Sequence, residues 1–190
     1  MRLRMRMLLL VLLVGLLTSS CYGNTFNFTA TTVGAPTSGI WPNVTPFNTT
    51  TGGTFDGSFY NPFLPYSAFT FTVDTSGSYD FLSTSTVFDP YTYLYSGVFN
   101  PADKVTNLIV GNDVFGPGNF SQSGFNGIPL TASDVYTYIT LPDVTGETPG
   151  LYTASINGPG IVTPTPEPGT ALLLGWGLIG VAALRRRFGK

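Results

Sequence analysis

Apolar and polar residues alternate with a period of two through most of the middle of this chain. In YSAFTFTVD (66–74), Phe69, Phe71 and Val73 alternate with Thr70, Thr72 and Asp74. In VYTYITL (135–141), Val135, Thr137, Ile139 and Leu141 alternate with Tyr136, Tyr138 and Thr140. Stretches 25–33, 53–60, 77–84, 91–96, 107–111 and 151–157 read the same way. Successive side chains of an extended chain point to opposite faces, so this period, carried by β-branched and aromatic residues, predicts strands. Clusters of Gly, Pro, Asn and Asp between them predict turns. About eight short strands at this spacing predict an all-β fold, an antiparallel β-sandwich or jelly roll.

The two ends break the pattern. Residues 1–23 carry Arg2, Arg4 and Arg6, then an apolar run from Met7 to Leu17, then Thr18, Ser19 and Ser20. This is the layout of a secretory signal peptide, removed by a signal peptidase. The run is too short to span a bilayer, which needs roughly 20 residues. Cys21 raises the alternative of a lipoprotein signal, but Thr18 occupies the place where such signals carry an aliphatic residue. At the other end, ALLLGWGLIGVAAL (171–184) is uncharged and has no polar face. Gly175, Gly177 and Gly180 weaken a helix in water but are common in membrane helices. Arg185, Arg186 and Arg187 follow directly, and positive charge stays on the cytoplasmic side. The segment therefore predicts a single C-terminal transmembrane helix with the body on the outer side. Thr163 to Gly169 precede it, a stretch in which alternating prolines predict an extended, protease-accessible linker.

Charge sharpens this sidedness. Charged residues make up only 9% of the chain, and the formal net charge is −2. Seven of the eight basic residues lie in the two ends, so between Asn24 and Thr165 Lys104 alone faces nine carboxylates. A body this acidic is repelled by phosphate, which excludes nucleic acid as a partner. Lys104 is also the one lysine available to defend a sheet edge.

Candidate chemistry is sparse. Histidine is absent and Cys21 is the only cysteine, so Ser-His-Asp, Cys-His and histidine-ligated metal sites are excluded. Asp80, Asp89, Asp113 and Asp143 are the stock from which a glycoside-cleaving pair would be drawn, though aspartate is also the ordinary residue of turns and strand ends. Calcium on Asp89, Asp113 and nearby carbonyls is chemically reasonable, since that ion takes oxygen ligands, but there is no EF-hand spacing. No cofactor is expected. Tyr91, Tyr93 and Tyr95 share one face of a strand: an exposed row would stack on sugar rings, whereas a covered one would pack within the sandwich.

Two resemblances add to these readings. Pro166-Glu167-Pro168, a glycine-containing apolar helix and the arginine cluster together resemble the PEP-CTERM sorting signal of Gram-negative bacteria. The resemblance implies an exosortase as processing partner, with Pro166, Glu167 and Pro168 as the recognition element and Arg185, Arg186 and Arg187 as the stop. It also implies release or attachment at the cell surface or in the extracellular matrix, often alongside exopolysaccharide and biofilm. Residues 66–158 resemble the bacterial pre-peptidase C-terminal domain, through FTFTVDTSGSYDFLSTSTVFDPYTYLYSG, VGNDV and the late GLYTASINGPG. That resemblance implies a β-sandwich appended to a secreted protein, some relatives of which bind calcium. Asn112-Asp113 stands where two aspartates are usual. The expected organisation is a signal peptide (1–23), a β-sandwich (24–162), a Pro-rich linker (163–169) and a sorting helix with its arginines (170–190). The expected role is that of a non-enzymatic exported protein. The alternatives are a carbohydrate-binding module using the tyrosine face and a small secreted hydrolase.

Overall fold

The computed structural model describes residues 23–60, 63–144 and 146–165. The expected signal peptide up to Tyr22, Cys21, the Pro166-Glu167-Pro168 motif, the C-terminal helix and Arg185 to Arg187 lie outside the described residues. Within them the chain is all β, every strand pairing is antiparallel, and no helix is long and apolar enough to cross a membrane.

Thirteen strands follow one another: β1 (Asn24–Thr31), β2 (Thr37–Ser38), β3 (Trp41–Thr45), β4 (Thr54–Tyr60), β5 (Leu64–Pro65), β6 (Ser67–Val73), β7 (Gly77–Thr84), β8 (Pro90–Ser96), β9 (Leu108–Asn112), β10 (Gln122–Leu130), β11 (Val135–Pro142), β12 (Leu151–Gly158) and β13 (Val162–Pro164). A four-stranded sheet has the order β1-β12-β7-β10, and a five-stranded sheet the order β13-β6-β11-β8-β9. Their facing sides form the main core. From the first sheet come Tyr79, Phe81, Phe125, Tyr152 and Ile156, and from the second Phe71, Val73, Leu94, Tyr136 and Tyr138. On β7 every second residue from Tyr79 to Ser83 is buried, the alternation expected of a strand covered on one face. Ser83 carries the alternation into polar territory, and its hydroxyl meets those of Tyr138 and Thr140 at 3.0 Å each. A buried hydroxyl without such partners would be costly.

β8 and β11 break the alternation, because nearly every residue in them is buried. Their outer face is covered by a third layer built from residues 35–60 and 63–66. Two small ribbons, β2-β5 and β3-β4, carry Trp41, Val44, Leu64 and Tyr66 onto Tyr91, Tyr93, Tyr95, Ile139 and Leu141. The Trp41 ring stacks on Tyr93 at 5.6 Å and on Phe99 at 6.0 Å, and its Nε1 donates to the carbonyl of Ser38 at 3.0 Å. The cover is fastened to the sheet where Gly53 and Gly111 exchange backbone hydrogen bonds of 2.8 and 2.9 Å. A Cβ at Gly111 would lie 2.7 Å from the Tyr93 ring, so this approach needs glycine. Asn112, next in the chain, is fully buried and forms a second clasp. Its Nδ2 donates to the carbonyls of Thr49, Val114 and Gly124, and its Oδ1 accepts from the Asn48 amide. An aspartate at this position would lack those donors.

Several sequence expectations change here. Residues 24–65 do not simply extend the sandwich, because only β1 joins it and the rest forms the cover. β10 escaped the period-two reading because Gly124, Gly127 and Pro129 look like turn residues. They fit this strand because it is an edge with a bulge between Phe125 and Ile128. Thr163 and Pro164, expected to open the linker, belong to the sheet. Thr163 and Pro164 pair with Thr72 and Phe71 of β6, and the Thr165 amide donates to the carbonyl of Thr70 at 2.8 Å. Proline is tolerated there because β13 is an edge strand. Lys104 guards no edge. It is 9% exposed, donates to the Gly39 carbonyl at 2.8 Å and lies 5.2 Å from the centre of the Trp41 ring.

Candidate functional site

Three strands of the five-stranded sheet terminate at one place. β8 runs antiparallel to both β9 and β11, so its start lies beside their ends. The register that pairs Pro90 with Pro142 and Thr92 with Asn112 sets this level. Asp89 precedes β8, Asp113 follows β9 and Asp143 follows β11, each at a strand end, a position that suits aspartate. The Asp143 amide donates to the Asp89 carbonyl at 2.8 Å and locks two of the three corners together. One carboxylate oxygen from each of the three lies within 4.8 Å of the others. Glu147, on the loop between β11 and β12, adds a fourth carboxylate, whose Oε1 accepts from the Asp89 amide at 3.2 Å.

These carboxylates are poorly satisfied. Among the described residues, that amide is the one hydrogen-bond donor that reaches any of the four. One oxygen each of Asp89, Asp113 and Glu147 is buried without a partner. The energetic consequence falls on their protonation. Burial, followed by the charges of Asp113, Asp143 and Glu147, pushes the Asp89 carboxyl up to about 7. Burial, then the charges of Asp143 and Glu147, does the same to Asp113, also to about 7. Asp143 is raised by burial and by Glu147. Desolvation and like charge both disfavour an ionised carboxylate, so the two causes add.

The third layer supplies the remaining wall. Asp113 and Asp143 face a cavity of about 340 Å³ shared with Tyr60 and Tyr91. The Tyr60 hydroxyl is buried and has no hydrogen-bond partner. Tyr93 beside it donates instead to the carbonyl of Pro42 at 2.8 Å. Burial first, then among other causes the charges of Asp143 and Asp113, raises the Tyr60 phenol far above its ordinary range, so it stays protonated and remains a donor. On the other side, Asp89 and Glu147 line an open surface depression, which gives solutes access to the cluster.

The arrangement offers oxygen donors and phenolic protons only, with neither imidazole nor thiolate. Such a donor set suits hard cations. Of the four aspartates singled out in the sequence, the fold gathers Asp89, Asp113 and Asp143. It leaves Asp80 elsewhere, on β7 in the other sheet, accepting from the Gly127 amide at the β10 bulge at 2.8 Å. Sequence reasoning missed Glu147 and Tyr60. Tyr60 reaches the cluster from a segment distant in the chain, and Glu147, although it follows Asp143 by four residues, sits in a loop whose path no local pattern fixes.

Of the two readings of the tyrosine row, the burial matches the covered one. Tyr91, Tyr93 and Tyr95 do share one face of β8, with Tyr91 stacked on Tyr93 at 4.8 Å. They are 6%, 0% and 1% exposed. Tyr95 donates to the Lys104 carbonyl at 3.0 Å as Tyr93 does to Pro42, so even the polar tips are engaged inside. The third layer occupies the side on which a sugar ring would have stacked.

The described structure ends at Thr165, on the edge of the sandwich, and the tail begins there. Residues 164–187 match the PEP-CTERM protein-sorting motif. The PEP-CTERM match spans Pro166, Glu167, Pro168 and the arginines Arg185 to Arg187, and it supports exosortase-dependent sorting of an exported protein of a Gram-negative bacterium. It overlaps the β body only at its margin, from Pro164, the last residue of β13. No curated protein shows significant similarity to the chain.

Proposed function

We propose that this is a non-enzymatic protein of the cell surface or extracellular matrix, with the β-sandwich as its working part and the tail as its address label. The PEP-CTERM match carries the reading. Its position supports it: the motif starts where β13 leaves the sheet edge, so cleavage near Pro166-Glu167-Pro168 would spare every strand. In this reading a signal peptidase removes residues 1–23. The C-terminal helix holds the chain in the inner membrane until an exosortase acts, and the body then joins the exopolysaccharide of a biofilm. The absence of histidine and the burial of the aromatic row favour a structural role over catalysis or sugar stacking. The sandwiched sheets also fit a body of the pre-peptidase C-terminal type.

The test is intact-mass analysis of the mature protein from its host, with and without the exosortase. The expected wild-type product lacks both ends, and without the exosortase the chain keeps its C-terminal segment in the membrane fraction. An unprocessed chain in the cytosol of the wild-type host would overturn the reading.

A further inference from the structure

β13 stops partway along its partner. Val162, Thr163 and Pro164 pair with Val73, Thr72 and Phe71, and the Thr165 amide reaches the Thr70 carbonyl at 2.8 Å. β6 runs on to Ser67, and among the described residues no strand pairs with that edge beyond Thr70. We propose that in the uncleaved chain Pro166-Glu167-Pro168 docks on this open edge as a continuation of β13, which masks the sorting motif until the edge is released. The register points there. Continued at the same offset, Pro166 falls opposite Phe69, Glu167 opposite Ala68 and Pro168 opposite Ser67. In an antiparallel ladder, residues that exchange hydrogen bonds with the partner alternate with residues whose amides face away from it. Asp74 donates to the Ile161 carbonyl and Thr165 to that of Thr70, so Glu167 shares the bonded phase. Pro164, Pro166 and Pro168 all take the other phase, where a missing N–H forfeits no ladder bond. Glu167, the one residue of the motif with an amide, stands where the ladder needs that donor, with the Ala68 carbonyl as acceptor.

Both faces of the edge are unfinished at this place. On the core side Phe69 stacks on Phe28 at 4.2 Å and on Phe26 at 5.5 Å, yet all three residues stay partly exposed. A proline opposite Phe69 sits in the pair type whose side chains approach most closely, so its ring covers this aromatic group. On the other face Ala68, Thr70 and Thr165 line a cavity of about 530 Å³. Glu167 follows Thr165 by two residues and shares its face, which lays its methylenes along the rim at Ala68. The occupant is set by where the described chain ends. An open edge is a template for any strand, and the nearest candidate is covalently joined to β13. At about 3.3 Å per residue, the motif's three residues match the three of β6 that remain. Only Gly169 and Thr170 then separate the sheet from the apolar segment at 171–184. Proteolysis needs accessible backbone, so an exosortase must wait for this edge to open. The docking stands without the sorting reading, and its effect on processing rests on that reading.

The experiment compares the full chain in detergent with a variant carrying one glycine inserted between Thr165 and Pro166. The insertion leaves the motif intact but moves its prolines into the bonded phase. Hydrogen exchange read at single amides is expected to be about tenfold or more slower at Glu167 and Ala68 in the wild type than in the insertion variant. Glu167→Pro, which removes the donor and touches no strand of the body, should speed exchange at Ala68 likewise. In the host, the insertion variant should lose its tail faster than the wild type. The proposal is overturned if Glu167 and Ala68 exchange equally fast in wild type and insertion variant, or if the two chains are processed at the same rate. It is also overturned if protection of Ala68 survives the insertion and rises with protein concentration, which would assign the edge to a second copy. A tail that stays on in both chains, with the protection difference present, would sink the sorting reading and uphold the docking.

Discussion

The two ends of β8 lie under the same third layer and meet opposite fates. At the Tyr95 end, Lys104 is satisfied by the Gly39 carbonyl and the Trp41 ring, and Tyr95 by the Lys104 carbonyl. At the Asp89 end, four carboxylates share a single backbone donor, and three of them keep a buried oxygen without a partner. The first end is complete as a piece of protein. The second is complete only with something added, a proton or a cation. The body has one cation to offer, and the fold places it at the end that has no carboxylate cluster. Packing the cover demands Lys104 there, and nothing in the described residues offsets the charge at the other end.

Breaking the complete end should have the largest effect. Trp41→Ala removes a fully buried indole and both of its stacks, and should destabilise the fold by about 3–5 kcal/mol in denaturant titration. Asn112→Asp replaces three buried donations with a carboxylate facing carbonyls, and should cost about 3 kcal/mol in the same assay, lifting the cover from β9 and β10. Lys104→Met keeps much of the apolar stem and loses the ammonium contacts, for an expected cost of about 1–2 kcal/mol.

The incomplete end should respond with the opposite sign. In chelated protein at pH 8, Asp113→Asn removes repulsion and should raise Tm by about 2–4 °C, on the order of 1 kcal/mol for a chain of this size. The pH dependence follows from the direction of the shifts. Asp89 and Asp113 titrate near 7 in the folded protein against 3.8 when unfolded, so the folded state binds protons more tightly. Stability of the chelated protein should therefore be highest below about pH 4 for these groups, and should fall as the pH rises towards 7. Asp143 and Glu147 face the same pair, and Asp56, across the cavity, is held low by Ser58 and so does not buffer the change. Thermal melts from pH 4 to pH 8 check this. A flat profile would remove the contrast between the two ends.

How much of this was legible in the chain depends on the range of the interaction. The eight strands read from the period-two pattern all form, within a residue or two at their ends, because alternation is imposed by the pleat of each strand separately. β10 was hidden, because its Gly124, Gly127 and Pro129 are turn residues everywhere except on a bulged edge. Tyr91, Tyr93 and Tyr95 were correctly placed on one face, but no local signal says what lies over that face. The covering Trp41 is some fifty residues upstream, in a segment without strong periodicity. Asp89, Asp113 and Asp143 were visible as candidates only because aspartate ends strands. That they converge follows from the antiparallel register of β8 with both neighbours, and Glu147 and Tyr60 join through loop and cover placement alone.

By itself, then, the order of residues determined the strand content, the acidic character of the body, the absence of histidine chemistry and the sorting tail at 164–187, because each is a property of composition or of a contiguous stretch. Tertiary structure alone decided that the tyrosine row is interior, that the body's one lysine sits over an indole, and that carboxylates from three separate parts of the chain crowd one corner. Those outcomes depend on strand register and on a layer folding back over the sheet, and both are set by packing between segments rather than by pattern within them.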